Sequence, residues 1–330
     1  MGPLVATRTA RSPGGDAGRR PRHVSRLLLI RHGQTTSNVR QALDTALPGA
    51  ALTDLGWSQA FAAGELLAGE QDEAAAPLAM VSSQALRARQ TAAGIAMGGH
   101  GRGLRLSDTG PGTPFARALG ELAAVEITDG IAHEDVGPPR SAASEPATAA
   151  GATGAGATGV TGLTGPNPVS TTLPLVMPGA VPGISEIPAG RYEMREDHEA
   201  HYDYHRTFAE WLGGAMDVPV PGASTGREVV ARYLDTLLPM AASVQREGSD
   251  LAVVSHGAVI RLIAAYLGRV DPEYAMRTIM PNTSRVELEI PDVFDSTRDG
   301  AGGAAHTDAL ASGWKVVDWA GHGEPLRAAG

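Results

Sequence analysis

The sequence predicts an α/β fold, a three-layer α/β/α sandwich around a mostly parallel central sheet. Three observations carry this expectation. Residues 25–30 read S-R-L-L-L-I and stop at Arg31-His32-Gly33. Residues 251–257 read L-A-V-V-S-H-G, the same design of an apolar run closed by His-Gly. Helical spacing fills much of the chain between them. Short continuous apolar runs bounded by a turn signal suit strands buried on both faces, as in parallel sheets. Strands alternating with helices then imply helices on both sides of one sheet.

The elements follow in order. After the first strand, Thr53 is placed to cap a helix whose apolar side uses Trp57, Ala60, Phe61, Gly64 and Leu67. Residues 79–83, A-M-V-S-S, read as the next strand, and 86–96 as a helix. A polar helix is expected over 192–212, with Phe208, Trp211 and Leu212 near its end. Another is expected over 226–244, with a break or kink at Pro239. Residues 259–267 form an apolar helix directly after the second His-Gly, and 285–290 and 314–319 read as late strands.

Two stretches fall outside this scheme. Residues 1–24 carry five arginines (Arg8, Arg11, Arg19, Arg20, Arg22) against Asp16 and lack the apolar core of a signal peptide. They read as a disordered arginine-rich tail. From 138 to 183 the only charges are Arg140 and Glu145, among Ala, Gly, Thr, Pro and Ser. Such a composition buries too little apolar surface to offset the entropy of ordering it. Residues 136–188 are therefore expected to be a flexible insertion in a single domain covering 25–330, with a smaller irregular one over 292–312.

Composition narrows the chemistry. With no cysteine, disulfides, thiolate metal sites and cysteine nucleophiles are excluded. Lys315 is the only lysine, so any anion site must use Arg, His and backbone N–H groups. The net charge of −9 argues against a general nucleic-acid binder. No run of 18 apolar residues is present, so no membrane-spanning helix is expected, and a cytoplasmic protein is the default.

In open α/β sheets, ligands bind beyond the carboxyl ends of the strands. His32 and His256 both fall at such ends. If their strands are neighbours, both imidazoles face one pocket, and Gly33 and Gly257 let backbone N–H groups approach an anion. Arg31-His32-Gly33-Gln34-Thr35 with Asn38, the Leu52–Gly56 and Gln59-Ala60 segment, and Ser83 with Leu86-Arg87-Ala88 and Gln90-Thr91-Ala92 then follow in order. Leu119-Gly120-Glu121 and Ser255-His256-Gly257 with Ile260-Arg261 close the series. Together these pieces resemble the histidine phosphatase superfamily, its phosphoglycerate mutase-like phosphatase branch.

The resemblance implies roles. His32 attacks phosphorus and becomes a phosphohistidine. Arg31 and Arg87 clamp the phosphoryl oxygens, which suits a planar bidentate guanidinium, and His256 donates a further hydrogen bond to them. Glu121 protonates the leaving oxygen and then activates water. Around Glu121 the chain departs from the family's usual L-x-E-x-x-x-G-x-x-E-G, because Val125 stands where glycine is common; Glu126 is a rival acid. Asn38 is either a phosphate contact or a local cap. The expected reaction is hydrolysis of a small phosphorylated metabolite, with no cofactor, no metal, no nucleic acid and no membrane partner. Oligomeric state is not legible. The alternatives are a phosphoglycerate mutase and a non-catalytic phospholigand-binding module. His198, His201 and His205 share one helical face, a spacing that could bind metal, but a solvated helix beside the pocket mouth is the simpler reading.

Overall fold

A computed structural model describes residues 23–71, 76–110, 113, 116–117, 176–292 and 312–328. Its six strands are β1 (Arg26–Arg31), β2 (Ala79–Ser83), β3 (Gly179–Val181), β4 (Leu251–Ser255), β5 (Arg285–Glu289) and β6 (Lys315–Trp319). They form one sheet in the order β3-β2-β4-β1-β5-β6. The first four run parallel; β5 and β6 join antiparallel.

Burial explains this division. Residues Leu27 to Ile30 of β1 are each no more than 3% exposed. Leu27 and Leu29 pack into one core cluster, and Leu28 and Ile30 into another. The strand is therefore covered on both faces, and burial of each side chain contributes about 1.5–3 kcal/mol. By contrast, β5 alternates buried Val286 and Leu288 with half-buried charged residues, the pattern of a strand with one wet face.

The helices are α1 (Thr36–Arg40), α2 (Asp54–Glu70), α3 (Leu86–His100), α4 (His198–Leu212), α5 (Gly226–Glu247), α6 (Gly257–Gly268) and α7 (Pro272–Arg277), with a 3₁₀ turn at Gly190–Tyr192. Leu67 of α2 and Ala88, Ala92 and Ile95 of α3 cover one face of the sheet. Phe208 and Trp211 of α4, Leu234 and Leu237 of α5, and Ile260 and Ile263 of α6 belong to the other core. This is the expected three-layer sandwich. Thr53 caps α2 by accepting from the Gly56 N–H. The helix expected to break at Pro239 instead runs through it, from 226 to 247.

One expectation is corrected. The segment expected to be flexible up to 188 is ordered from 176 onward and supplies β3, paired with Val81, Ser82 and Ser83 of β2. Its small residues suit a closely packed strand, and Ile184 and Ile187 are fully buried in the main core. Burying those two isoleucines contributes roughly 2 kcal/mol each, which sets this stretch apart from its Gly/Ala/Thr neighbours. Residues 1–22, 136–175 and 293–311 of the expected tail and insertions lie outside the described residues. No helix among those described is long and apolar enough to cross a membrane.

Candidate active site

The register of the sheet decides the site. Parallel pairing of β1 with β4 sets Arg31 opposite Ser255, so His32 and His256 leave the same edge side by side. The His32 N–H donates to the Ser255 carbonyl at 3.0 Å, and the two imidazole centroids are 5.4 Å apart. Gly33 is required here: a Cβ would come 2.6 Å from the Gly56 carbonyl oxygen, so the loop after β1 could not pack against α2.

The two histidines differ in what their nitrogens do. His32 Nδ1 lies 2.7 Å from its neighbour's carbonyl, Gly33 O. A carbonyl only accepts, so Nδ1 carries the proton and Nε2 keeps its lone pair. Burial pushes this imidazole well below its ordinary pKa, and the charges of Arg87 and Arg31 push the same way. His32 is thus neutral, with Nε2 free, at the wall of a cavity of about 800 Å³.

His256 is brought beside it but is fully enclosed. Its Nδ1 accepts from Arg87 Nε at 3.3 Å, which leaves the proton on Nε2 to donate to Ser83 Oγ at 2.9 Å. In this arrangement both nitrogens are engaged within the protein, and His256 backs Arg87 rather than opening on the cavity. Burial, then the Arg87 charge, holds His256 neutral as well.

Arg31 and Arg87 both line the cavity. Arg31 Nη1 donates to the Met280 carbonyl. Arg31 Nε and Arg87 Nη1 are buried without a hydrogen-bond partner, Arg87 Nη1 standing 3.9 Å from Asp44 Oδ1. An unpaired buried donor costs about 1–3 kcal/mol, more when charged. Two such donors beside a neutral histidine make a site in want of an anion. Gly257, the first residue of α6, lets Arg31 pass: a Cβ there would sit 3.1 Å from Arg31 Nε.

Asn38 lines the cavity, and its observed bonds are those of a cap. Its Oδ1 accepts from the Thr35 N–H at 3.1 Å, and Asn282 Nδ2 donates to the same oxygen at 3.3 Å. Asn282 also donates to the His32 carbonyl at 2.9 Å, a support the sequence reading missed because a Pro-Asn-Thr-Ser turn carries no such signal. His198, His201 and His205 stand on the cavity wall as expected for a helix at the mouth. His201 Nε2 donates to the Gln41 carbonyl and His205 Nδ1 to the His201 carbonyl. Among the described residues no group of three His, Cys, Asp or Glu is arranged to hold a metal ion.

Glu121 and Glu126 lie outside the described residues. Three acids line the cavity, Asp44, Glu186 and Glu196. Asp44 accepts from Ser37 Oγ and the Ala50 N–H, and Glu196 pairs with Arg40. Glu186, inside the expected flexible insertion, has no cation paired with it among the described residues. Its carboxylate accepts from the first turn of α6, from Val259 N–H at 2.9 Å and Ala258 N–H at 3.3 Å, and from Ile187 N–H at 2.9 Å. A signal for it existed. Ile184-Ser185-Glu186, Gly190 and Glu193 keep the spacing of L-x-E-x-x-x-G-x-x-E. Met194 stands at the closing glycine of that pattern, and it adopts the left-handed backbone (φ 60°) that glycine favours.

Comparison with known proteins gives the family and the fold. The family model described as Histidine phosphatase superfamily (branch 1) matches residues 27–106 and 169–293, more than half of the chain. The match passes over 107–168, which contains Glu121 and Glu126, and includes Glu186. Two solved structures, "Mycobacterial hydrolase 1" and "Mycobacterial hydrolase 2", share the fold at a TM-score of 0.50 each. The first is 18% identical and covers 90% of this chain and 98% of its own; the second is 19% identical and covers 92% and 93%. A mycobacterial glucosyl-3-phosphoglycerate phosphatase is 18% identical, with a TM-score of 0.49 over 92% of this chain and 100% of its own. PE-PGRS family protein PE_PGRS11 of Mycobacterium tuberculosis is 46% identical over 67 residues, which span 20% of this chain and 11% of that protein. By the extent of the family match and the residues it takes in, the chain belongs to the histidine phosphatase superfamily, branch 1.

Proposed function

We propose that this chain hydrolyses phosphomonoesters through a phosphohistidine on Nε2 of His32, with Glu186 as proton donor. The observation that carries the reading is a neutral, buried His32 whose free Nε2 shares a cavity wall with Arg31 and Arg87, each guanidinium also keeping one buried nitrogen without a hydrogen-bond partner. In the first step the Nε2 lone pair forms a bond to phosphorus and the bond to the leaving oxygen breaks. That oxygen takes the proton of the Glu186 carboxyl. In the second step the Glu186 carboxylate removes a proton from water, the water oxygen bonds to phosphorus and the P–N bond breaks. Inorganic phosphate leaves and Nε2 regains its lone pair.

Most of the work is positioning and charge compensation, as phosphoryl transfer requires. Arg31 and Arg87 face the equatorial oxygens, and the covalent intermediate divides one hard displacement into two. Glu186 is preferred over Glu121 and Glu126 because it shares the cavity with His32 and falls within the family match. The alcohol part of the ester occupies the rest of the cavity, beside His198, His201, His205 and Tyr204. The test is turnover of p-nitrophenyl phosphate by the wild type and His32→Ala. The variant is expected to lose turnover and to form no acid-labile phosphoenzyme; equal rates would overturn the proposal. Incubation with 3-phosphoglycerate and a bisphosphate primer separates hydrolysis, which yields free phosphate, from mutase activity, which yields 2-phosphoglycerate.

A further inference from the structure

Glu186 sits in an irregular segment between β3 and the 3₁₀ turn, where no strand partner takes up the backbone. Pro182 and Pro188 bracket the segment and bring no N–H. Buried carbonyls in such a place need donors from elsewhere. Four consecutive carbonyls have them, from side chains of three different elements. Ser255 Oγ, at the end of β4, donates to Ile184 O at 2.7 Å. Arg232 Nη2, on α5, donates to Ser185 O at 3.0 Å and to Glu186 O at 3.2 Å. Tyr204 Oη, on α4, donates to Ile187 O at 2.9 Å. Gly183 presses the chain onto α5 just before this: its φ is +88° and a Cβ would fall 2.0 Å from Thr236 Oγ1.

We infer that Arg232 is a positioning residue for the proton donor: its guanidinium, which does not line the cavity, holds the Glu186 main chain so that the carboxyl meets the leaving oxygen. This rests on the reading of Glu186 given above. Two features single out Arg232 from the other donors. It alone bridges two carbonyls, one of them that of Glu186 itself. It also has no carboxylate within 4 Å among the described residues, so its burial is not explained by an ion pair. Partial burial lowers its pKa, against the opposing charge of Glu186. Tyr204 and Ser255 complete the clamp, but Tyr204 also faces the cavity and Ser255 ends the strand that carries His256, so neither isolates the effect.

The test uses leaving groups. Proton donation matters for an alkyl phosphate, whose alkoxide leaves badly, and little for 2,4-dinitrophenyl phosphate, whose phenolate leaves unaided. The parameter to read is kcat/KM, which stops at release of the first product and so excludes hydrolysis of the phosphoenzyme. Arg232→Met is expected to lower kcat/KM for glycerol 2-phosphate on the order of 10- to 100-fold, the scale of a roughly 1 Å misplacement. It should change kcat/KM for 2,4-dinitrophenyl phosphate by no more than about threefold, within the scatter of a surface change. Arg232→Lys, which keeps the charge but has a shorter reach to the two carbonyls that Nη2 holds, should show the same selectivity more weakly, and serves alone if Arg232→Met does not fold. Glu186→Gln should be at least as selective, and adding Arg232→Met to it should cost nothing further on the alkyl ester.

Equal losses on both esters, or no loss on the alkyl ester, would overturn the role of Arg232. If Glu186→Gln is selective while both Arg232 variants are not, only this inference falls. If Glu186→Gln itself loses both esters equally, the assignment of the proton donor falls and the inference with it.

Discussion

The ends of β1 and β4 carry nearly the same letters, Arg31-His32-Gly33 and Ser255-His256-Gly257, and do different work. His32 spends Nδ1 on its own loop and leaves Nε2 free at the cavity. His256, one strand away, spends both nitrogens on Ser83 and Arg87 and is wholly enclosed. The difference comes from the neighbours. β1 lies between β4 and β5, with Arg31 and Arg87 flanking its histidine. β4 lies between β1 and β2, whose last residue, Ser83, closes over the second ring. A strand that ends in His-Gly provides a place for an imidazole at the edge of the sheet. The adjoining strand end decides whether that imidazole stays open to the cavity or is enclosed.

The largest expected break in this comparison is at the nucleophile. His32→Ala should lower kcat by at least on the order of 10⁴-fold, as loss of a covalent nucleophile does, and abolish phosphoenzyme. His256→Ala should lower kcat/KM less and still form an acid-labile phosphoenzyme, trapped by rapid quench. A His256→Ala protein as dead as His32→Ala, with no phosphoenzyme, would refute the division of labour.

Arg87 links the two sides. Arg87→Lys loses the planar fork and is expected to reduce kcat/KM by about 10²-fold, the scale of losing one oriented donor. If His256 acts through Arg87, His256→Ala and Arg87→Lys will be strongly non-additive; additive losses would mean that His256 contacts the phosphoryl group directly. Removing the charge at this position, rather than only the fork, has a pH signature. His32 must be neutral to attack, and its pKa lies well below the ordinary histidine value of 6.5, from burial first, then Arg87 and Arg31. The acidic limb of kcat/KM should therefore fall well below pH 6.5 in the wild type. Arg87→Met removes a charge that lowers this pKa, so the limb should move upward. Stability has the same sign. The unfolded chain binds protons on both histidines below about pH 6.5 while the folded chain does not, so stability is lost as pH falls from there toward the folded values. Thermal melts between pH 7 and 5 will read it.

The sequence made the frame and most of one side of the site legible. Continuous apolar runs identify β1 and β4 because burial on both faces allows no alternation, and their shared ending points to adjacent strand ends. Arg87 is legible through its motif, Leu86-Arg87-Ala88 followed by Gln90-Thr91-Ala92, which resembles that of the family. Glu186 is not legible in the same way. It follows a long stretch of Gly, Ala, Thr and Pro, and composition alone extends that stretch across β3 and Ile184. What orders the segment is remote: buried Ile184 and Ile187, and donors from Ser255, Arg232 and Tyr204, up to 71 positions away in the chain for the Ser255 bond. No local period signals such bonds. The enclosure of His256 escaped for the same reason, since the hydroxyl that closes it lies 173 positions earlier.

The smallest expected effect tests that enclosure most sharply. Ser83 is fully buried, and its hydroxyl accepts the His256 Nε2–H and lies 3.3 Å from the Ala85 N–H. Ser83→Ala removes this acceptor with little change in volume. The Nε2–H is then buried without a partner, at a cost of about 1–3 kcal/mol. The imidazole can avoid that cost by moving its proton to Nδ1, but Nδ1 then opposes Arg87 Nε, donor against donor, and Arg87 loses its anchor. The second outcome disturbs Arg87, and neither reaches His32. Ser83→Ala should therefore lower kcat/KM by up to about tenfold, the rate equivalent of ~1.4 kcal/mol, with phosphoenzyme formation retained. Nitrogen-15 spectra of the histidine rings should show a change at His256 and none at His32. An unchanged His256 tautomer with undiminished kcat/KM would mean that the serine is a spectator, and that enclosure by the protein interior alone keeps the second histidine from reacting.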